Sequence, residues 1–384
     1  MKIVQVHNYY QIKGGEDTVV AAEKALLEAN GHVVIPYYKT NHEIADYSLL
    51  KKVKLIHDTT WSQATYDDFF AFLKEHQPDL VHVHNFLPLI SPSVFYACNK
   101  AQIPVVQTLH NYRLICTNGI FQRDGKICED CLGKKAKGAI AKKCYRNSKT
   151  QTYAVARMLD KHTAKGTWNE KIDAYICLTD FARDKFIQHG LPAKRLFVKP
   201  NFIAEQIHTP AENSTNYFLF VGRLTRSKGV ELLKAVASNS PFPIKLVGEG
   251  DLAESLNNIP NLELLGTRSN EETLSLIKHA KALILPSRWY EGMPMTILEA
   301  FSQKTPVITS KLGAMKSMIQ HNENGILIDP FSKIELLDAL TTIASDPTFA
   351  QKLAVNAYAD YLSFYSPEAN YQQLMKIYKG VCEL

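Results

Sequence analysis

Short apolar runs alternate along the first half of the chain with longer stretches of mixed polarity. The runs lie at residues 2–7, 31–36, 79–84, 103–109 and 172–178. Their length and apolar character are typical of strands that are buried on both faces of a parallel sheet. Between the first two runs, residues 16–29 have the spacing of an amphipathic helix. Its predicted buried side carries Val19, Ala22, Leu26 and Leu27. This alternation predicts a doubly wound α/β sheet.

The same alternation restarts after a polar segment at residues 204–216, which contains Pro210 and is the predicted linker. Strands are predicted at residues 217–222, 244–247, 262–265, 282–285, 305–309 and 325–329. A chain of 384 residues is long enough for two domains of this size. We therefore predict one domain over residues 1–203 and a second over residues 204–365.

The stretch 287–302 combines several features of an anion-binding turn. Gly292 permits close backbone approach, and Pro294 precedes a predicted helix that begins at Met295. Unpaired N–H groups and the helix dipole at such a turn attract phosphate. Glu291 in the turn and Glu299 in the helix would repel phosphate, so we expect them to bind hydroxyl groups. A ligand that carries both phosphate and sugar fits this pattern. Taken alone, the same two residues could be a loop acid and a helix-surface acid.

Gly14 and Gly15 follow the first predicted strand and form a second candidate anion-binding turn, although any tight turn uses glycine. Glu16 and Asp17 come next, and we expect both to be first-turn acids that complement the helix dipole. His84 and His110 fall at the carboxyl ends of later strands, where doubly wound sheets bind ligands. Each of them could instead be a satisfied structural histidine, as we expect for His7 and His82.

Arg223 and Lys228 lie where the first strand of the second domain gives way to a helix, beside Gly222 and Gly229. Arginine supplies a planar pair of donors and lysine a point charge, and both suit a diphosphate. Further positions at later strand ends are expected to hold a nucleotide base. These positions are Val247, Gly248, Gly250, Thr267 and Arg268.

Four cysteines follow the spacing C-x11-C-x2-C-x12-C, at Cys116, Cys128, Cys131 and Cys144. The intervening segment is rich in glycine and lysine and could not become ordered by burial alone. Four thiolates at this spacing predict a structural zinc site with no open position for catalysis. Free thiols, or a redox pair at Cys128 and Cys131, are the alternatives.

Residues 134–171 are strongly basic, whereas the whole chain carries a net charge of only +6. A mild net charge does not require nucleic acid, and we expect no nucleic-acid partner. The basic segment is either a solvated face or a contact with anionic lipid. The N-terminus has the pattern of a strand instead of a signal peptide, and no apolar run has the length of a membrane helix. We therefore predict a cytoplasmic protein, peripheral at most to the inner face of the membrane.

Several of these blocks together resemble retaining GT-B glycosyltransferases of glycosyltransferase family 4. They are the Glu-x7-Glu pair Glu291 and Glu299, Phe220-Val-Gly-Arg-Leu-Thr-Arg-Ser-Lys-Gly229, Val247-Gly-Glu-Gly250 and Gly313. The cysteine block, within an insertion at residues 112–147, resembles a bacterial subfamily. The resemblance implies two Rossmann-like domains facing across a cleft, with a last helix at residues 366–384 that returns to the first domain.

The resemblance also implies roles for individual residues. Gly14 and Gly15 would lie over the donor phosphates and the acceptor, and His110 near the centre of sugar transfer. Arg223 and Lys228 would bind the donor diphosphate and the leaving group, with Glu291 also catalytic. The remaining donor-binding positions would be Val247, Gly248, Arg268, Gly292, Met293, Pro294 and Glu299.

The function so implied is transfer of a sugar, with retention, from a UDP- or GDP-sugar to a glycan, lipopolysaccharide or lipid-linked acceptor in cell-surface polysaccharide synthesis. No Asp-x-Asp motif stands in the expected setting, which favours Arg223 and Lys228 over a catalytic metal. Two other functions remain open at this point. One is a nucleotide-sugar epimerase of the same fold, and the other is a non-enzymatic, zinc-bearing binding module.

Overall fold

The computed structural model describes residues 1–11, 14–204 and 216–383. Two compact units are present. Unit 1 comprises Met1–Phe121, Cys128–Pro200 and the chain from Asn370 onward, and unit 2 comprises Gln122–Ile127 and Asn201–Ala369. Most of the predicted linker, including Pro210, lies outside the described residues.

Unit 1 is built on a parallel sheet of six strands in the order β2-β1-β3-β4-β7-β8. These strands are β1 (Lys2–Tyr9), β2 (Val33–Thr40), β3 (Leu80–Val83), β4 (Val105–Leu109), β7 (Ala174–Cys177) and β8 (Leu196–Val198). β8 was not predicted as a strand of this sheet, because its three residues are too few for a periodic signal. The chain reverses its direction of winding between β1 and β3, and a doubly wound sheet binds ligands beyond the strand ends at such a point.

Helices connect these strands. They are α1 (Gly15–Ala29), α2 (Leu49–Asp58), α3 (Gln63–His76), α4 (Ser93–Ala101), α5 (Lys149–Ala164), α6 (Thr167–Glu170) and α7 (Asp180–His189). A small antiparallel hairpin joins β5 (Gln122–Arg123) to β6 (Lys126–Ile127). The parallel βαβ pattern that the apolar runs predicted is therefore present in the structure.

The C-terminal helix contributes to the core of unit 1. Leu374, Ile377 and Tyr378 are buried against side chains of the first sheet, among them Ile3 and Val106. The apolar face of this helix recurs every three or four residues, which is why it can cover a sheet. Residues from both ends of the sequence therefore share one core.

The buried side of α1 differs from the prediction. Val19, Val20, Glu23 and Leu27 are buried, whereas Ala22 and Leu26 are only partly buried. Glu23 follows Val19 by four residues and precedes Leu27 by four, so it lies on the same stripe. An acid can occupy this position because buried partners surround it.

The Glu23 carboxylate has three cationic or imidazole neighbours. Lys199 Nζ lies 3.3 Å from its Oε2, and His82 Nδ1 and His84 Nε2 lie 2.9 and 3.3 Å from its Oε1. Burial alone would raise the pKa of Glu23, but His82, Lys199 and His84 together hold it well below its usual range. Lys199 also donates to Asn370 Oδ1 at 2.9 Å, so the C-terminal helix takes part in this cluster.

Unit 2 contains a second parallel sheet of six strands, in the order β11-β10-β9-β12-β13-β14. Its strands are β9 (Phe218–Val221), β10 (Ile244–Val247), β11 (Leu262–Gly266), β12 (Leu283–Leu285), β13 (Val307–Ser310) and β14 (Ile326–Ile328). The winding direction reverses between β9 and β12. The ends of these two strands therefore mark the expected ligand position of this sheet.

The remaining helices follow in chain order. They are α8 (Val230–Val236), α9 (Asn270–His279), α10 (Met295–Ser302), α11 (Gly313–Met318), α12 (Lys333–Ser345), α13 (Pro347–Asp360) and α14 (Pro367–Cys382). Ile297, Leu298 and Phe301 of α10 are fully buried, and their spacing places them on one face of the helix. Among the described residues, no helix combines the length and the apolar character that crossing a membrane would require.

The buried pair of Lys199 and Glu23 leads to a first prediction. Lys199→Met leaves a carboxylate without its ammonium partner in a site where both side chains are 1% exposed. We expect the free energy of unfolding to fall by about 3 kcal/mol in urea titrations, since breaking a buried pair leaves an uncompensated charge. The control is Lys24→Met, which removes a partly exposed pair with Glu28 and should cost about 0.5 kcal/mol or less. Equal losses in the two variants would contradict the role given to Lys199.

Candidate active site

The loops at the ends of β9 and β12 touch through their backbones. Gly229 has φ +76°, and a Cβ atom at this position would lie 1.9 Å from the carbonyl oxygen of Pro286. Gly248, at the end of β10, has φ +130°, and its Cβ would lie 2.1 Å from the carbonyl oxygen of Gly222. Only glycine combines these dihedral angles with such close approach. Three strand ends are thereby held together, with little side-chain bulk between them.

Glu291 lies in the loop after β12, and its Oε1 atom accepts three hydrogen bonds. The donors are Lys228 Nζ, Ser287 Oγ and Trp289 Nε1, each at 2.7 Å. The Glu291 side chain is buried, and Lys228 is partly buried. Sequence analysis identified Lys228 and Glu291 as separate site residues. The structure brings them together as an ion pair, which fixes the lysine ammonium at the end of β12.

Helix α10 begins directly after this loop. Its N-cap residue is Pro294, and no side chain caps its first N–H groups. Glu299, in the second turn, is partly buried, and burial raises the pKa of its carboxyl to about 7. Within the described residues, the Glu299 carboxylate has no ion-pair or hydrogen-bond partner. A carboxyl group in this condition favours a ligand that supplies hydroxyl donors.

The other predicted positions of unit 2 also lie at carboxyl ends of strands. Arg223 follows β9 and is exposed, Val247 ends β10, and Thr267 and Arg268 follow β11. Arg268 Nη1 donates to the carbonyl of Thr267 at 3.0 Å. Gly292 and Met293 lie between Glu291 and the start of α10. The predicted set is therefore collected at one edge of the second sheet.

Unit 1 has a second group of polar side chains, beyond β1, β3 and β4. His84 Nδ1 lies 3.0 Å from His110 Nε2, and the two rings stack with centroids 5.3 Å apart. Burial lowers the pKa of His84 to about 3 and that of His110 well below its usual range. Both imidazoles are therefore neutral at pH 7. His110 can donate or accept a hydrogen bond, but it does not supply a positive charge.

A small pocket of about 30 Å³ lies beside His110. Glu16, Asn111 and Arg113 contribute to its wall. Burial, and next the charge of Asp17, raise the pKa of Glu16 to about 8, while Arg113 and Asn111 oppose the shift. Glu16 and Asp17 both lie in the first turn of α1, as predicted. Asp17 accepts a hydrogen bond from the backbone N–H of Gly14 at 3.1 Å.

Gly14 and Gly15 stand at the start of α1, next to this pocket. A Cβ atom at either position would meet nothing within 4 Å among the described atoms. Gly14 also has an ordinary extended φ of −124°. Neither glycine is thus required by local packing, in contrast to Gly229 and Gly248.

Sequence reasoning missed the chain of buried groups behind His110. His84 connects His110 to Glu23, and His7 Nε2 lies 2.8 Å from Asp17 Oδ1. The available signal was the acid at position 23 on the apolar stripe of α1. A charged residue on such a stripe indicates buried partners.

The four predicted zinc ligands are all in unit 1, and none of the seven cysteines forms a disulfide. Burial, and then Cys116, Cys144 and Cys128, raise the pKa of the Cys131 thiol to about 12. Cys116 Sγ also donates to Asn118 Oδ1 at 2.9 Å.

Comparison with known proteins identifies relatives across the whole chain. An uncharacterised glycosyltransferase of Methanocaldococcus jannaschii is 23% identical over 385 residues, covering 93% of this chain and 92% of the relative. The α-D-kanosaminyltransferase of Streptomyces kanamyceticus is 26% identical over 60% of this chain, but the match spans only 65% of that enzyme. A putative teichuronic acid biosynthesis glycosyltransferase, TuaC of Bacillus subtilis, is 25% identical over 79% of this chain and 71% of its own length.

Solved structures show the same fold at lower sequence identity. HepE of Anabaena in complex with UDP is 18% identical and has a TM-score of 0.67, covering 99% of this chain and 100% of HepE. The lipopolysaccharide outer core galactosyltransferase WaaB is 17% identical and has a TM-score of 0.64, covering 99% of both chains. These similarities establish the GT-B fold, with its two Rossmann-like parallel sheets.

Two family models match adjacent parts of the chain. "Glycosyl transferases group 1" matches residues 203–360, and "Glycosyltransferase Family 4" matches residues 12–206. All strands of the two large sheets except β1, the glycine-lined strand ends and the Lys228–Glu291 pair lie within these ranges. This chain belongs to glycosyltransferase family 4.

Proposed function

We propose that this protein transfers a sugar, with retention of anomeric configuration, from a UDP- or GDP-sugar to a glycan or lipid-linked acceptor in cell-surface polysaccharide synthesis. The observation that carries the proposal is the Lys228–Glu291 pair at the reversal point of the second sheet. The UDP bound to HepE supports a nucleotide donor. The names of TuaC and WaaB, which refer to teichuronic acid and lipopolysaccharide, support a surface glycan as product.

In this proposal, Arg223 and Lys228 bind the diphosphate of the donor. Glu291 holds the Lys228 ammonium in place, and the close backbone approach at Gly248 and Gly222 brings the strand ends together around the diphosphate. The first N–H groups of α10, after Gly292, Met293 and Pro294, are available to an anion. Val247, Gly248, Thr267 and Arg268 are assigned to the base, and Glu299 to the ribose hydroxyls.

The reaction breaks the bond between the anomeric carbon and the donor phosphate and forms a bond from that carbon to the acceptor hydroxyl oxygen. Negative charge grows on the departing diphosphate, and Lys228 and Arg223 stabilise it electrostatically. The acceptor proton passes to that phosphate on the same face, which accounts for retention without a protein nucleophile. Since the sequence has no Asp-x-Asp motif in the expected setting, the two cations replace a catalytic metal. His110, being neutral, positions sugar hydroxyls through hydrogen bonds.

A donor screen tests the proposal as a whole. Purified protein is supplied with UDP- and GDP-sugars, and release of UDP or GDP is followed. Binding of UDP and GDP is measured by calorimetry on the same sample. Turnover of at least one donor is expected. Absence of both diphosphate binding and donor turnover would contradict the proposed donor class.

Lys228→Ala should lower kcat by about 10²-fold or more while KM for the donor changes much less. The reason is that the leaving-group charge is larger in the transition state than in the ground state. Steady-state kinetics with the donor found in the screen provide the measurement. The matched control is Lys234→Ala, an exposed lysine on the adjacent helix α8, which should leave both constants unchanged. A rise in KM at constant kcat would make Lys228 a uniform binder instead.

Glu299 should make donor binding dependent on pH. Its folded pKa of about 7 lies above the ordinary value for a glutamate, so the carboxylate form appears only as the pH rises through 7. A hydrogen bond to an ionised acceptor contributes about 1.5–3 kcal/mol, whereas one to a neutral acceptor contributes about 0.5–1.5 kcal/mol. We expect the Kd for UDP to tighten between pH 6 and pH 8 more in the wild type than in Glu299→Gln. Titration of the UDP phosphate affects both proteins alike. Parallel pH profiles would exclude the assigned role.

A structural zinc held by Cys116, Cys128, Cys131 and Cys144 is also part of the proposal. The four cysteines lie in one unit, and their sequence spacing fits a closed tetrahedral site, which has no free position for a substrate. Zinc there would order the glycine- and lysine-rich segment and supply no catalytic group.

Elemental analysis of protein purified without chelators should find about one zinc per chain. Cys131→Ser should release the metal and lower the Tm. Cys382→Ser, at an exposed cysteine outside the group, should change neither. Metal-free wild-type protein with an unchanged Tm after chelator treatment would refute the zinc site.

The basic segment is proposed to contact anionic lipid. Lys134, Lys135 and Lys137 are exposed, and Asp160 accepts from the backbone N–H groups of Ala136 and Lys137. Replacing the three lysines by glutamate should therefore retain the local backbone bonds. We expect weaker binding to vesicles that contain anionic lipid, and a decrease of wild-type binding with salt. Donor hydrolysis should stay the same. Salt-independent vesicle binding would argue against the contact.

A further inference from the structure

Unit 1 contains a cavity of about 450 Å³ that the donor-binding residues do not use. Its walls come chiefly from helix α2, helix α5 and the loop at Leu87 and Pro88. A volume of this size is typical of sites that enclose a small organic ligand. Most of the lining surface is aliphatic, with contributions from Ile44, Leu49, Val53, Leu55, Ile56 and Val155.

Helix α2 borders this cavity with an apolar side that no protein core covers. Its ten residues carry apolar side chains along one side, yet none of them is buried. Leu49 is 79% exposed and Val53 is 56% exposed. A helix usually covers such a side against a core, because exposed aliphatic surface is costly in water. Here the apolar side of α2 borders the cavity instead.

The polar residues at the cavity are cationic. Lys52, Arg113 and Arg146 all contribute to its lining, and no aspartate or glutamate is among the described lining residues. The guanidinium groups of Arg113 and Arg146 lie 4.8 and 5.5 Å from the centroid of the Tyr145 ring. Two arginines beside one aromatic ring form a recognition surface for phosphate or carboxylate. The cavity therefore combines an aliphatic interior with anion-binding groups.

The cavity adjoins the small polar pocket next to His110. Tyr10, Leu87 and Arg113 line both spaces. A molecule in the cavity could thus place a polar end near Glu16 and His110. A free glycan would leave its hydroxyl groups unpaired against the aliphatic walls, which is unfavourable. An aliphatic chain with an anionic group matches both parts of the surface.

We propose that this cavity binds the hydrocarbon chain of an amphiphilic acceptor whose phosphate lies against Arg113 and Arg146. The inference rests on the proposed function, of which it specifies the acceptor class. Burial of the chain supplies affinity at about 0.8 kcal/mol per methylene group. Contact between the phosphate and the two arginines fixes how far the hydrocarbon chain enters the cavity, so that the sugar-accepting end of the molecule faces the His110 pocket.

Calorimetry with three probes tests the inference directly. Farnesyl phosphate, farnesol and inorganic phosphate are each titrated into the full-length protein below their aggregation concentrations. We expect farnesyl phosphate to bind, farnesol to bind at least tenfold more weakly, and inorganic phosphate to show no measurable binding. Equal affinity for farnesol and farnesyl phosphate would overturn the role of the arginines. Absence of farnesyl phosphate binding would overturn the inference as a whole.

Two pairs of variants locate the site. Ala154→Phe fills the cavity from α5, whereas Ala164→Phe makes the same change at an exposed position of the same helix. Arg146→Ala removes one cation of the lining, whereas Lys149→Ala removes an exposed cation that does not line it. The first member of each pair should weaken farnesyl phosphate binding by at least tenfold, and the second should leave it unchanged. Equal effects within both pairs would reject this location.

UDP binding, measured on the same variants, distinguishes failure of the lipid-acceptor inference from failure of the proposed transferase function. The residues proposed to bind the donor diphosphate, Arg223 and Lys228, belong to unit 2, so Ala154→Phe should bind UDP normally, which also reports that the protein is folded. Normal UDP binding and sugar transfer to a soluble glycan, without farnesyl phosphate binding, would overturn the lipid acceptor while leaving the proposed transferase intact. Absence of both UDP binding and GDP binding in the wild type would instead count against the proposed transferase.

Discussion

Parallel strands that end at the same edge of a sheet are the constraint on which this structure depends. Each unit winds in two directions from a reversal point, between β1 and β3 or between β9 and β12. The loops that follow those strands must meet at one place, whatever their sequences. Residues as far apart in sequence as Lys228 and Glu291 become neighbours for this reason. The topology thus creates the candidate site before any individual side chain contributes to it.

Side chains then determine the positions of the charged groups at the strand ends that the topology has brought together. Three donors converge on one oxygen of Glu291, so the position of the Lys228 ammonium is set before a ligand arrives. Preorganised charge costs no rearrangement during a reaction, which is why enzymes place cations in this way. Glu299 differs, because no described group pairs with it and burial disfavours its charged form. The Glu291 carboxylate is therefore paired within the protein, whereas the Glu299 carboxyl is free of partners among the described residues and is available to a ligand.

Much of this organisation was predictable from sequence, because apolar periodicity reports burial. The strands of the two large sheets, apart from β8, followed from apolar spacing alone. Pairwise polar contacts were not predictable, since periodicity carries no information about partners. Glu23 was overlooked in favour of Ala22 and Leu26, and the desolvation of the Glu16 carboxyl was not predicted. The cavity beside α2 was also invisible, because an apolar stripe does not reveal whether protein or ligand will cover it.

The participation of the C-terminal helix in unit 1 has a consequence for synthesis. Leu374, Ile377 and Tyr378 complete a core that begins with Ile3, and Asn370 contacts the buried Lys199. A ribosome delivers the whole of unit 2 before it delivers these residues. Domains generally fold as units while the chain emerges. Unit 1, although its first strand is made first, therefore completes its core only after the whole of unit 2 has been synthesised.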